Sequence, residues 1–126
     1  MLLNHVGIIN DSEDRAVRFY HGLLGFEKTR EFVVSTKLTE QLFNVAQEIK
    51  VLVFERDGIK LEVFICPECR QPFPDFSHIG LLLDDFQAIK EKVQQTGVEL
   101  IVGRTEEKTV YFLKDFYGNL IEIKQK

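Results

Sequence analysis

Apolar residues recur along the chain with two periods, and the switches between them mark the elements. Ala16, Phe19, Tyr20, Leu23 and Leu24 are spaced as on one face of a helix. Asp11 and Ser12 supply N-cap oxygens ahead of it, Glu13 and Asp14 suit the positive end of the helix dipole, and Gly25 is a natural stop. A second stripe, Phe86, Ile89 and Val93, starts from Asp84 or Asp85 and ends at Gly97. Both helices are amphipathic and are expected to cover a sheet. A short third helix is expected between Thr36 and Gln47, where Leu38, Leu42 and Phe43 stand among polar residues.

Strands account for most of the remainder. Ile49 to Glu55 and Ile59 to Ile65 flank Arg56-Asp57-Gly58, and Asp-Gly signals a hairpin because glycine accepts positive φ in the turn. Val110 to Lys114 and Leu120 to Ile123 flank Asp115-Phe116-Tyr117-Gly118-Asn119 in the same way.

These elements repeat. His5-Val6-Gly7-Ile8-Ile9 returns as His78-Ile79-Gly80-Leu81-Leu82 after 73 residues, and Gly25-Phe26-Glu27 returns as Gly97-Val98-Glu99 after 72. Each half then closes on an apolar strand holding one carboxylate, Leu61-Glu62-Val63-Phe64-Ile65 and Leu120-Ile121-Glu122-Ile123. The interval from His5 to Glu62 is 57 residues against 44 from His78 to Glu122, and the extra short helix accounts for the difference. The sequence thus predicts one α+β domain over residues 1–126, built of two modules at about 1–70 and about 74–126.

A length of 126 residues with 44% hydrophobic and 29% charged positions suits one domain with its own core. The net charge of -4 argues against a nucleic-acid footprint, which needs clustered Lys and Arg in excess of acids, so a small-molecule partner is expected. No apolar run approaches the roughly 20 residues of a membrane span. The opening Met-Leu-Leu-Asn-His has no basic stretch of the signal-peptide kind, and a cytoplasmic protein is expected. Cys66-Pro67-Glu68-Cys69 has the spacing of half a zinc knuckle or of a redox pair. With no second Cys or His pair at knuckle spacing, the two are expected to be plain turn cysteines in a reducing cytosol.

Alternation along strands shows why polar residues sit in these runs. His5 shares a face with Leu3 and Gly7, while Val6 and Ile8 point to the helix layer. His78 likewise opposes Ile79 and Leu81, Glu62 opposes Leu61 and Val63, and Glu122 opposes Ile121 and Ile123. With helices packed on the convex apolar face, all four polar residues project from the concave face of a curled sheet. Taken singly, each reads as a rim residue satisfied by water. Their matching positions in both halves make them a set. Two imidazoles and two carboxylates suit one divalent ion such as Ni²⁺, Zn²⁺, Co²⁺, Fe²⁺ or Mn²⁺. A carboxylate in an apolar strand costs several kcal/mol to desolvate, and no Lys or Arg is paired with either glutamate by position alone.

These paired strands, the strand-ending glutamates and the tail Asp115-Phe116-Tyr117-Gly118-Asn119-Leu120-Ile121-Glu122 resemble the vicinal oxygen chelate superfamily over essentially the whole chain. This is the glyoxalase, bleomycin-resistance and extradiol-dioxygenase group. The resemblance implies two βαβββ modules forming a cupped mixed sheet. Phe116 and Tyr117 depart from the Asp-Pro-Asp-Gly-Asn turn common in the family, a difference in the turn and not in the donors. By the same resemblance the metal positions are His5, Glu62, His78 and Glu122, as in bacterial glyoxalase I. Methylmalonyl-CoA epimerase is similar but commonly carries glutamine at the position matching Glu62.

What the resemblance implies is a metal-dependent lyase or isomerase of glyoxalase type, which removes a proton beside a carbonyl and stabilises the enediolate. Glu122 and Glu62 are the two possible bases, with Glu122 preferred. Alternation places Phe64 and Phe112 on the concave face, where they would shape the substrate pocket, with Lys60, Lys114 and Lys124 on that face or its rim. No arginine set answers to the carboxylates of glutathione, and His21 reads as a surface residue. An extradiol-type dioxygenase, or a non-catalytic small-molecule (antibiotic) binding protein of the same fold, are the alternatives. Extradiol enzymes use two histidines and one carboxylate, and bleomycin-resistance members lack the metal set. A homodimer is expected, because small cupped modules expose sheet edges.

Overall fold

The computed structural model describes residues 1–70 and 75–126; the expected junction of the modules and the first residue of the second lie outside the described residues. The chain divides into two compact units, Met1–Arg70 and Gln71–Lys126. The first runs β1 (Val6–Asn10), α1 (Glu13–Ala16) continued directly as a π-helical segment (Val17–Leu23), β2 (Glu27–Val34), α2 (Thr36–Phe43), β3 (Ile49–Arg56) and β4 (Ile59–Ile65). The second runs β5 (His78–Leu83), α3 (Phe86–Thr96), β6 (Glu99–Arg104), β7 (Thr109–Lys114) and β8 (Leu120–Gln125).

Each unit is one four-stranded mixed sheet, in the order β1-β4-β3-β2 and β5-β8-β7-β6. The strand that opens each unit lies parallel to the strand that closes it, with Gly7 beside Glu62 and Gly80 beside Glu122. The α+β class and the two βαβββ modules are as the sequence predicts. The hairpin between β3 and β4 turns on Asp57 and Gly58, both at positive φ (50° and 81°), the pair of angles a two-residue primed turn requires.

The first helix starts where expected, with the Ser12 side chain accepting from the Arg15 N–H, but it does not stay regular. Its buried residues fall at intervals of four, Ala16, Tyr20, Leu24 and Phe19, Leu23, and a turn wider than 3.6 residues lines both series up on one side. The Leu24 N–H accordingly reaches back five residues to the Phe19 carbonyl. Tyr20 packs against Phe19 and Phe54, ring centroids 4.9 and 5.8 Å away.

Alternation on the closing strands is clean. Leu61, Val63, Ile121 and Ile123 are each no more than 2% exposed, whereas Glu62 and Glu122 between them are only partly covered. The run Val51 to Phe54 on the interior strand β3 is buried throughout; beside it on β4, Leu52 and Phe54 have Val63 and Leu61 as neighbours on one face, and Val51 and Val53 have Phe64 and Glu62 on the other. Edge strands β2 and β6 carry apolar runs of only three residues, Phe32 to Val34 and Leu100 to Val102; β2 is exposed at six of its eight residues and studded with charge, which discourages pairing with other chains.

One finding departs from expectation. Cys66 and Cys69 are joined by a disulfide. The turn that returns the Cys69 N–H to the Cys66 carbonyl brings their Cα atoms to 5.3 Å, within bridging reach. The Cys66 N–H also donates to the Asn10 carbonyl, tying the end of β4 to the end of β1. The short α2 helix forms, capped by Ser35, but turns Leu38, Leu42 and Phe43 outward; Thr39 is its buried residue. No described helix is long and apolar enough to cross a membrane.

Leu113 is fully buried and faces Ile121 across the β7–β8 ladder. Leu113→Ala is expected to cost about 2–5 kcal/mol by urea unfolding, against less than about 0.5 for exposed Lys108→Ala. A difference between the two variants under about 1 kcal/mol would contradict this core assignment.

Candidate metal centre

The closing strands present one carboxylate each, and the register decides what stands beside it. Gly7 lies next to Glu62 and Gly80 next to Glu122, so in both modules the neighbouring strand offers no side chain at that level. A Cβ built on Gly80 would stand 3.8 Å from Glu122 Oε2, and one on Gly7 would stand 3.4 Å from the Phe64 ring. Both distances are ordinary van der Waals contacts, so the repeated glycines leave room beside Glu122 and Phe64 without either contact requiring a glycine.

Two residues before each glycine stands a histidine. In the first module His5 Nε2 is 3.0 Å from Glu62 Oε2; in the second His78 Nε2 is 3.6 Å from Glu122 Oε2. The other ring nitrogen is engaged in both cases, Nδ1 of His5 with Asn4 Oδ1 at 2.7 Å and Nδ1 of His78 with the Phe76 carbonyl at 2.9 Å. A carbonyl oxygen only accepts, so Nδ1 carries the proton. In the neutral ring Nε2 then turns a lone pair toward a carboxylate oxygen. Two electron-rich atoms facing each other require a proton or a cation between them. The donor chemistry therefore fits a divalent ion, and the Nδ1 partners are the kind that orient a ligating imidazole.

Within each module the expected ligands are brought together in pairs, His5 with Glu62 and His78 with Glu122. Among the described residues no group of three or more His, Cys, Asp and Glu side chains is gathered. Phe112 lies edge-on to His78, ring centroids 5.1 Å apart, and Phe64 packs against Phe43 at 5.4 Å. His21 is exposed on its helix and holds the Phe26 carbonyl through Nδ1 at 2.7 Å.

One expectation about the carboxylates is corrected. Lys124 Nζ lies 3.2 Å from Glu122 Oε1. Residues two apart on a strand share a face, so this pairing is legible from alternation, although a comparison of matched positions alone passes over it. Lys60 and Lys114 instead pair with Glu55 and Glu99, at 3.8 and 3.6 Å.

Asp115 is a further residue that sequence reasoning assigns no role. It is 3% exposed, and its Oδ1 accepts the N–H groups of Tyr117, Gly118 and Asn119 while Oδ2 accepts from the Asn119 side chain. The turn that delivers β8, and with it Glu122, is organised by Asp115 and Asn119, which explains how Phe116 and Tyr117 can replace the family's usual turn residues. A depression of about 560 Å³ beside α3, lined by Gln87, Lys90, Val93 and Leu100 among others, involves none of the four expected ligands.

Comparison with known proteins gives a consistent picture. Residues 2–123 match the model of the Glyoxalase/Bleomycin resistance protein/Dioxygenase superfamily. No curated protein sequence matches. Among solved structures, a glyoxalase family protein from Enterococcus faecalis is 22% identical with a TM-score of 0.71, over 97% of this chain and 95% of its own. A glyoxalase family protein from Bacillus cereus is 18% identical with a TM-score of 0.71, over 96% and 91%. The fosfomycin resistance protein FosX from Listeria monocytogenes, complexed with Mn(II) and sulfate, is 16% identical with a TM-score of 0.70, over 99% and 92%.

Proposed function

Because the chain belongs to the Glyoxalase/Bleomycin resistance protein/Dioxygenase superfamily, we propose that it is a metal-dependent lyase or isomerase of glyoxalase type, in which His5, Glu62, His78 and Glu122 hold one divalent ion. The observation that carries this reading is the repeated His–Glu pair, in which each Nε2 faces a carboxylate oxygen while Nδ1 is held by an acceptor. Ni²⁺, Zn²⁺, Co²⁺, Fe²⁺ and Mn²⁺ all suit two imidazoles and two carboxylates, and Mn(II) is the ion named in the FosX complex.

A bound ion would supply Lewis acidity to two adjacent oxygens of a small oxygenated or thioester substrate. The protein's own role is proton movement. Glu62 or Glu122 takes the proton from the carbon beside the carbonyl, and the electrons of the C–H bond stay on the substrate. Return of the proton to the neighbouring carbon is glyoxalase chemistry; return to the opposite face of the same carbon is epimerisation. Phe64 and Phe112 would shape the apolar side of the pocket. Four donors in place of the two histidines and one carboxylate of extradiol enzymes argue against dioxygen chemistry, and an intact donor set argues against mere sequestration of an antibiotic. We further propose a homodimer, supported by the outward Leu38, Leu42 and Phe43 of α2, which association would cover.

Titration of metal-free protein with Ni²⁺, Zn²⁺ or Co²⁺ is expected to give one ion per chain, with His5→Ala weakening affinity about 10- to 100-fold. Binding no tighter than millimolar would leave a small-molecule binding protein. In D₂O, the loaded protein is expected to introduce deuterium into the hemithioacetal of methylglyoxal and glutathione or into methylmalonyl-CoA. Oxygen uptake with a catechol and no exchange would favour the dioxygenase. Light scattering at micromolar concentration is expected to report twice the chain mass; 14.7 kDa would refute the dimer.

A further inference from the structure

Cys66 and Cys69 take no part in the two His–Glu pairs, and their bridge is built unlike a structural staple. A disulfide stabilises a fold mainly by restricting the unfolded chain, and more so for longer loops; this one spans a sequence separation of only three. The turn it closes is also held without it. The Cys69 N–H donates to the Cys66 carbonyl at 3.1 Å, and the Cys66 N–H donates to the Asn10 carbonyl at 2.7 Å. The Arg70 guanidinium donates to the carbonyls of Pro67 and Cys69 at 2.8 and 2.7 Å. With those bonds in place and the Cα atoms 5.3 Å apart, two free thiols would stay within bridging reach. Opening the bridge therefore disturbs the fold little, and closing it needs no search.

The two sulfurs stand in different surroundings. Cys66 is 2% exposed and packs with Val34, Ile49 and Val51, and Gln47 Nε2 donates to its Sγ at 3.7 Å. Cys69 borders the same cluster but is partly exposed, between exposed Glu68 and Arg70. From this asymmetry we propose that the pair is a thiol–disulfide exchange site for small thiols, entered at Cys69. A thiolate RS⁻ attacks Cys69 Sγ, the S–S bond breaks, and its electron pair leaves on Cys66 Sγ, where the Gln47 amide meets the new charge. Return attack by Cys66 on Cys69 expels RS⁻ and restores the bridge. Attack by a second RS⁻ on the small-molecule sulfur of the mixed disulfide instead releases RSSR and a Cys69 thiolate, and the protein thiolates take up the protons that the small thiols gave to solvent. Two electrons thus pass from two small thiols to the protein, and oxidised small thiol returns the site to its bridged form by the reverse steps.

Glutathione, reduced and oxidised, is the probe, applied to the folded full-length protein with no substrate present. Equilibration across a range of reduced to oxidised ratios, followed by acid quench, alkylation and intact mass, is expected to show full and reversible interchange of bridged and two-thiol forms while the far-ultraviolet circular dichroism stays native. With oxidised glutathione, Cys66→Ser is expected to take up one glutathione at Cys69, and Cys69→Ser to react at least about 10-fold more slowly because its remaining thiol is buried. Gln47→Leu is expected to slow opening of the bridge about 10-fold with unchanged circular dichroism. A wild-type bridge that opens only when the protein unfolds, or thiols that never close under oxidised glutathione, would overturn the proposal. Equal rates for the two single-cysteine variants would overturn entry at Cys69, and an unchanged opening rate in Gln47→Leu would overturn the part given to its amide.

Discussion

The arrangement depends on one constraint, that each glutamate is flanked along its strand by residues no more than 2% exposed. Leu61 and Val63 fix the orientation of β4, and Ile121 and Ile123 fix that of β8. A slip of one residue would bury the carboxylate in the helix layer and expose two large apolar side chains. Burial of each such side chain is worth about 1.5–3 kcal/mol, so the hydrophobic layer holds the carboxylates on the opposite face. The parallel neighbour then supplies a glycine at that level, and the histidine two residues earlier comes within reach. The site geometry is thus a by-product of core packing.

That dependence explains what the sequence disclosed. The fold and the His–Glu pairs were legible because alternation, turn chemistry and a 73-residue repeat all express the same burial pattern. Edge strands β2 and β6 were not read from the sequence, since their apolar runs, Phe32 to Val34 and Leu100 to Val102, are only three residues long and show no alternation. The π-helical winding of Val17–Leu23 was visible only in retrospect, in apolar intervals of four. The disulfide was missed because a Cys-x-x-Cys turn looks the same in sequence whether bridged or open; the decision lies in the backbone turn that brings the two Cα atoms to 5.3 Å. Lys124 was placed on the concave face or its rim, but its pairing with Glu122 was overlooked for another reason. It has no counterpart in the first module, and symmetry discloses only what is repeated.

The two carboxylates also differ in how their burial is compensated. Removing a carboxylate from water costs several kcal/mol, while an exposed ion pair returns about 0–1. Lys124 is 61% exposed along its side chain, so its bond to Glu122 cannot alone offset a carboxylate that is 16% exposed. Among the described residues Glu62, at 19%, pairs only with His5. Among the described residues neither module contains within itself enough buried positive charge to neutralise its glutamate, and the proposed divalent ion would supply it to both.

A single βαβββ module brings two donors together, one nitrogen and one oxygen. Two donors leave a divalent ion mostly hydrated and weakly held, whereas sites that retain an ion under dilute conditions use three or four protein ligands. On the proposed metal reading the repeat therefore has a chemical reason as well as an architectural one: one copy of the strand-helix-strands plan folds a carboxylate into reach of an imidazole, and two copies are needed to complete a coordination sphere.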